Sequence, residues 1–317
     1  MYLQNVYVKI RLIKENADAR AVFYAASADA LSEKILQFLT GDRKMKKILA
    51  VVLAAVMMTA AVVAFGACGG NGKETLYVYT NAAFAPWEYM NEYNEVVGVD
   101  VDIANEIGEV LGYNVEVRDV AFGSIFTEVQ NNEMAIGLAG ITVNAEREET
   151  GIFSDSYATS TQYAIIPDSM ASSLVEGKLP VSALAGKKIG TQESTTGFFL
   201  IDEAVNGSTD EETGEHVKGE LEGTDAKCYS YKNGIIAGQD LGTQIDVLVI
   251  DELPAKSIWN NKSGYQVVEV DAEPESYAVY LNKNATKLRD DINKVITALV
   301  DNGVIDYWLL KHSGAII

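Results

Sequence analysis

Arg147 stands five residues after Thr142, inside the charged run Glu146-Arg147-Glu148-Glu149. A guanidinium is a planar fork that grips a carboxylate through two parallel charge-assisted hydrogen bonds. An arginine on a solvated helix face does nothing of the kind, and the local sequence admits both readings. Thr195-Thr196 precede an apolar helical stretch that begins near Phe198. A helix N-terminus offers free amides and partial positive charge to a carboxylate, although capping by threonine is the plainer use of the same residues. Asp251 closes the apolar run Val247-Leu248-Val249-Ile250. The C-terminal edge of a strand is where open α/β sheets bind ligands, while the following Glu252 and Pro254 also suit a helix N-cap at Asp251.

Other chemistries lack their parts. The two histidines, His216 and His312, fall in a polar acidic stretch and near the end of the sequence, so a Ser-His-Asp arrangement finds no partner. Two cysteines support neither a four-Cys zinc site nor a disulfide framework. Asp100 and Asp102 form a pair suited to acid/base work, but they are better read as entry and capping of the helix that follows. No phosphate-binding glycine loop and no His-Glu-x-x-His occur. The expectation is a binding protein without metal or cofactor, not an enzyme. A net charge of −20 argues against nucleic acid as a partner.

What positions these residues is an alternation of strands and helices. At 317 residues the chain exceeds a typical single core and points to about two domains. Strands are predicted at Thr75–Tyr79, Asn114–Arg118, Ala135–Ala139, Lys187–Thr191 and Asp246–Ile250. Ile103, Ile107, Val110 and Leu111 share one helical face after Asp102, and Leu288, Ile292, Val295, Ile296 and Leu299 mark a long amphipathic helix. This pattern predicts an α/β fold with mostly parallel sheets and helices on both faces. Val205 to Asp225 turns polar and acidic and reads as a surface excursion.

The beginning of the chain is different in kind. Nine basic and five acidic residues fall in 1–67, leaving 16 basic against 40 acidic in the 250 residues after them. Met45-Lys46-Lys47 is followed by an apolar run from Ile48 to Phe65 broken only by Thr59, then by small residues and Cys68. A basic stub, an apolar core and small residues before a cut mark a secretory signal, and the run also approaches the lower length for a membrane span. Cys68 before Gly69-Gly70-Asn71-Gly72 resembles a bacterial lipoprotein lipobox, with Cys68 the lipidated first residue. The expected division is an upstream extension outside the mature protein (1–44), a signal peptide (45–67) and a tether (68–73). Cys228 is then a lone thiol.

Two longer passages carry a more specific likeness. The first is Thr80-Asn81-Ala82-Ala83-Phe84-Ala85-Pro86-Trp87-Glu88 with Gly98-Val99-Asp100-Val101-Asp102-Ile103-Ala104. The second is Ala139-Gly140-Ile141-Thr142, Glu146-Arg147 and Phe153-Ser154-Asp155-Ser156-Tyr157, followed by Leu184 to Gly190, Ser194-Thr195-Thr196-Gly197 and Ile245-Asp246 leading to Asp251. From about Thr75 to Trp308 the chain resembles family 3 of the bacterial extracellular solute-binding proteins, the polar amino-acid receptors of ABC importers.

That resemblance implies a two-lobed clamp with two hinge strands, lobe one from 74–160 plus 276–317 and lobe two from 161–275. A ligand would bind in the cleft and the lobes close over it. The resemblance puts Arg147 on the ligand carboxylate together with the Thr142 amide, Thr195 and Thr196. The Thr142 hydroxyl, the Gly140 carbonyl and Asp251 would take the ammonium, with Gly140 letting the ligand approach the backbone. Asn81, Phe84, Phe122 and Gln192 would surround the side chain. Receptors of basic amino acids carry Asp at the Asn81 position, so a neutral ligand is expected here. Glu88 and Glu193 are the acids able to restore a counter-charge. The implied partners are an amino acid, an ABC importer permease and the membrane through the lipid anchor, for an extracytoplasmic monomer. The competing classes are a cyclohexadienyl-dehydratase-like enzyme and an amino-acid sensor.

Overall fold

Alternating burial makes the first strand, where Thr75–Thr80 (β1) turns Leu76, Val78, Tyr79 and Thr80 inward. The structure is a computed structural model that describes residues 73–210, 212–260 and 262–314. The expected extension, signal peptide, Cys68 and all of the tether but Lys73 lie outside those residues. After β1, the short strands Ala83–Phe84 (β2), Glu88–Met90 (β3) and Val96–Val97 (β4) pair antiparallel in a small sheet. Helix Val99–Leu111 (α1) buries Ile103, Ala104 and Ile107, and ends on left-handed Gly112. Val110, which the periodicity puts on the same stripe, is exposed in that last turn. Next come Asn114–Asp119 (β5), Phe122–Gln130 (α2), Ala135–Gly137 (β6), Ala145–Thr150 (α3) and the ten-residue strand Gly151–Ser160 (β7).

Only Thr161 separates β7 from Gln162–Pro167 (β8), which belongs to another sheet. That second sheet collects Lys188–Gln192 (β9), Lys227–Tyr231 (β12), Val247–Asp251 (β13) and Tyr265–Glu269 (β14). Helices Thr196–Asn206 (α4), Gly234–Asp240 (α5) and Glu252–Trp259 (α6) connect these strands. The polar excursion is a surface feature, with the exposed hairpin Ser208–Thr209 (β10) and His216–Val217 (β11). Past β14 the chain returns to the first sheet as Glu275–Asn282 (β15) and closes with Thr286–Asp301 (α7) and Val304–His312 (α8). The five residues expected to form the apolar stripe of α7 are its five buried residues.

The fold is therefore mixed α/β in two lobes. One sheet has the order β5-β1-β6-β15-β7 and the other β12-β9-β13-β8-β14. Pairing departs from the mostly parallel expectation. β1 runs parallel to β5 and β6, and β9 parallel to β12 and β13, but β15 and β8 are antiparallel to both of their neighbours. A parallel neighbour needs a crossover connection, usually a helix. β8 follows β7 directly and β15 follows β14 through a short link, so each enters its sheet in the opposed direction. Among the described residues no helix is long and apolar enough to cross a membrane.

Candidate functional site

The ends of β1, β6, β9 and β13 meet where the two lobes face each other. One pocket there is lined by Phe84, Glu88, Phe122, Ala139, Gly140, Thr142, Arg147, Gln192, Thr195, Thr196 and Asp251. Counting the open solvent at its mouth it spans about 280 Å³, but only about 10 Å³ of it is cavity, little more than one water, so the walls must part to admit a ligand. Arg147 lies in α3, a short helix capped by Asn144, whose side chain accepts from the Arg147 amide. The guanidinium is 6 % exposed. It donates to the Thr142 carbonyl at 2.7 Å and, across the cleft, to the Ser194 carbonyl at 3.2 Å. The rings of Phe122 and Phe126 pack 5.4 and 5.0 Å from its centre. Burial pulls Arg147 down to about 10, leaving it cationic at neutral pH, with Glu275 the leading opposing charge.

Gly140 adopts φ +53°, and an added Cβ would lie 3.0 Å from Phe84 and 3.3 Å from Tyr277. A side chain there meets both left-handed strain and two aromatic rings. The Gly140 amide donates to Asp100 Oδ2 at 2.8 Å, and Tyr157 Oη donates to the same oxygen at 3.0 Å. Asp100 thus does not cap α1. The cap position is Gly98, without a side-chain bond, because Asp100 is drawn 1 % exposed into the core toward these donors. Asp102 serves instead as the partner of Lys311 and His312 on α8. Burial pushes Asp100 up to about 7. Glu88 is raised well above the ordinary range by burial and then by the charge of Asp100. Glu88 Oε2 and Asp100 Oδ1 are buried without a hydrogen-bond partner, and their burial side by side favours the protonated form of Glu88.

The second lobe brings a helix end and an acid. Thr195 is the N-cap of α4, its hydroxyl accepting from the Phe198 amide at 3.2 Å. Its carbonyl takes the Phe199 amide, and helix geometry leaves the amides of Thr196 and Gly197 open to a ligand. Asp251 occupies the N-cap position of α6 but makes no side-chain cap bond there. Its Oδ1 accepts from Tyr277 Oη at 2.7 Å, a bond from one lobe to the other. Burial, and after it the charge of Glu275, push Asp251 up to about 7.

Nine of the ten ligand-binding residues expected from the sequence line this pocket. Asn81 does not line it. Asn81 Nδ2 donates to the Val120 carbonyl at 2.7 Å, and its Oδ1 accepts from Gln192 Nε2 at 3.1 Å, so it meets Gln192 from the opposite lobe. Phe84 and Phe122 are both buried and part of the lining. Of the two flagged glutamates, Glu88 lines the pocket and Glu193 is not among its lining residues. Cys228 is a free thiol near Thr191, and Cys68 lies outside the described residues. Among the described residues no cluster fits a metal ion. Sequence reasoning missed Glu275, Gln162, Tyr157 and Tyr277. Glu275 and Gln162 begin their strands at the two lobe crossings, and that position was their only local signal.

Comparison with known proteins places this geometry. The bacterial extracellular solute-binding proteins, family 3, match residues 76–315. The arginine-binding extracellular protein ArtP of Bacillus subtilis is 28 % identical over 274 residues, covering 83 % of this chain and 96 % of that one. A probable histidine-binding protein of Neisseria gonorrhoeae is 28 % identical over 167 residues, 50 % of this chain and 59 % of its own length. An amino acid ABC transporter substrate-binding protein from Streptococcus pneumoniae, solved with L-arginine bound, superposes with a TM-score of 0.63 at 26 % identity, covering 76 % of this chain and 94 % of the other.

Proposed function

Given that this chain belongs to the bacterial extracellular solute-binding proteins, family 3, we propose that it captures a free L-amino acid outside the cytoplasm and hands it to the permease of an ABC importer. The observation that carries this reading is the pairing, in one small pocket, of the Arg147 guanidinium from one lobe with the Asp251 carboxylate from the other. A zwitterion matches that pair of charges. Its carboxylate takes the unused guanidinium donors and the open amides of α4. Its ammonium takes Asp251, the Thr142 hydroxyl and the Gly140 carbonyl.

The neutral ligand expected from Asn81 gives way in this proposal to a cationic one. Asn81 commits its side chain to Val120 and Gln192 and does not line the pocket. Glu275 and Asp251 act on the Arg147 guanidinium, and Glu88, buried beside Asp100, adds a further acid to the pocket wall. With the zwitterion paired to Arg147 and Asp251, Glu88 is the acid left on the pocket wall. A basic side chain gives Glu88 a partner and favours its ionised form as counter-charge. Relatives bearing arginine- and histidine-binding names support the same class. A thermal-shift screen over the twenty amino acids tests the assignment, because a ligand of the folded state raises the melting temperature by mass action. Arginine, lysine or histidine is expected to give the largest shift. A larger shift with glutamine or serine overturns the cationic assignment, and no shift with any amino acid overturns the receptor.

The buried Glu88 in the pocket, its carboxyl held well above the ordinary range by burial, also favours a second reading, a dehydratase-like enzyme that uses a raised acid. A product assay separates the two, since a receptor returns its ligand unchanged. For localisation, the proposal keeps Cys68 as a lipidated N-terminus whose several acyl chains anchor an otherwise soluble body. Mass spectrometry finding Cys68 unmodified, in a chain that still begins there, overturns the anchor.

A further inference from the structure

Glu275 does not line the pocket, yet it is bonded to two residues that do. Its Oε2 accepts from Thr142 Oγ1 at 2.5 Å in the first lobe and from Thr196 Oγ1 at 3.0 Å in the second. Its Oε1 accepts from Gln162 Nε2 at 2.8 Å. Gln162 opens β8 just past the first crossing of the chain, and Glu275 opens β15 at the end of the second. One carboxylate therefore joins both crossings and both walls of the cleft.

The direction of these bonds matters more than their number. A carboxylate only accepts, and a threonine hydroxyl has one proton to give and two lone pairs. With that proton committed to Glu275, the Thr142 and Thr196 oxygens have only lone pairs left for the cleft. A lone pair welcomes an ammonium and repels a carboxylate. Gln162 fixes the plane of the Glu275 carboxylate, and the Thr196 hydroxyl also lies 3.3 Å from Gln162 Nε2. The glutamine is held in turn by its fit against α4, where a Cβ on Gly197 would come within 2.5 Å of Gln162 Oε1.

We propose that Glu275 is a positioning residue that sets the polarity of the Thr142 and Thr196 hydroxyls, so that these oxygens take the α-ammonium while the Arg147 guanidinium takes the α-carboxylate. The inference rests on reading the cleft as an amino-acid site. It makes Glu275 the group that fixes which way round the ligand enters, without touching it. It also makes orientation depend on lobe contact, because the two hydroxyls come from opposite lobes and reach Glu275 together only when the walls are close.

The test is calorimetric titration of the full chain with L-arginine and L-glutamine, each beside its analogue lacking the α-ammonium, 5-guanidinopentanoate or 4-carbamoylbutanoate. The proteins are wild type, Glu275→Gln, Thr142→Val and the double variant, with Glu275→Asp as a second variant should the amide fail to fold. For the amino acid that wild type binds, Glu275→Gln is expected to weaken binding tenfold or more and to leave the analogue unchanged. The preference for the ammonium-bearing ligand then collapses. The double variant is expected to lose less than the sum of the two single losses, since Glu275 acts in part through that hydroxyl. Equal losses for amino acid and analogue, or additive losses in the double variant, overturn the positioning role and leave the receptor intact. Wild type that binds neither amino acid overturns the reading of the cleft, and this inference with it.

Discussion

Arg147 is a buried cation whose partners in the described structure are two carbonyls and nearby acids, and the proposed function gives its remaining donors to a ligand carboxylate. Arg147→Ala is expected to abolish amino-acid binding while leaving the circular dichroism spectrum unchanged. Truncating one partner of a buried charge pair typically costs about 2–5 kcal/mol, roughly 30- to 5,000-fold in affinity. Unchanged calorimetric affinity in a folded variant removes Arg147 from the site. Protonation gives a second prediction at this scale. Asp100 keeps its proton to about 7 in the fold, against 3.8 ordinarily. Between those values the folded chain binds more protons than the unfolded one, so stability falls as pH rises. For one such acid the loss is about 1.4 kcal/mol per pH unit, or roughly 3–6 °C in melting temperature for a body of this size. Asp251 acts in the same window with the same sign. The unliganded melting temperature is expected to drop between pH 5 and 7, and Asp100→Asn to flatten the slope. A wild-type melting temperature that rises over that range contradicts protonated buried acids.

Helix α4 shows how an element serves packing and ligand together. Thr195 satisfies the Phe198 amide and also lines the pocket. Thr195→Ala is expected to cost about 1 kcal/mol of stability through the lost cap and to weaken binding, while Thr195→Ser restores both. Denaturant melts beside titrations check this, and loss of stability with full affinity would confine Thr195 to capping. The buried stripe of α7 and the strand cores were legible from periodicity, because burial of one face dictates which positions are apolar. Caps were less legible. Asp251 holds an N-cap position without making the cap bond, and Asp100 turns inward instead of capping α1. A local sequence shows which side chains are able to cap, but a distant donor such as Tyr277 or Tyr157 competes for the same oxygen.

Across the whole molecule, direct bonds join the lobes, from Arg147 to Ser194, Gln192 to Asn81, and Tyr277 to Asp251. A ligand of about ten heavy atoms at roughly 0.8 kcal/mol each reaches about −8 kcal/mol, near micromolar affinity. Much of that must come from contacts made to both lobes at once, so saturating ligand is expected to shift the population toward the closed form. Small-angle scattering with and without ligand measures it, and an unchanged radius of gyration supports a cleft that is rigid from the start. The sequence by itself determined the α/β alternation, the amphipathic faces and the order of Asn81, Phe84, Gly140, Thr142, Arg147, Thr195 and Asp251 along the chain. Each of those follows from local periodicity or from a contiguous motif. Only the tertiary structure decided that Asn81 meets Gln192 across the cleft, that Glu88 is buried beside Asp100, and that Glu275 reaches Thr142, Gln162 and Thr196. Those three partners lie 133, 113 and 79 positions from Glu275. At such separations the partner is chosen by how the two sheets exchange strands, and protonation by how much water the packing removes, neither of which a local pattern records.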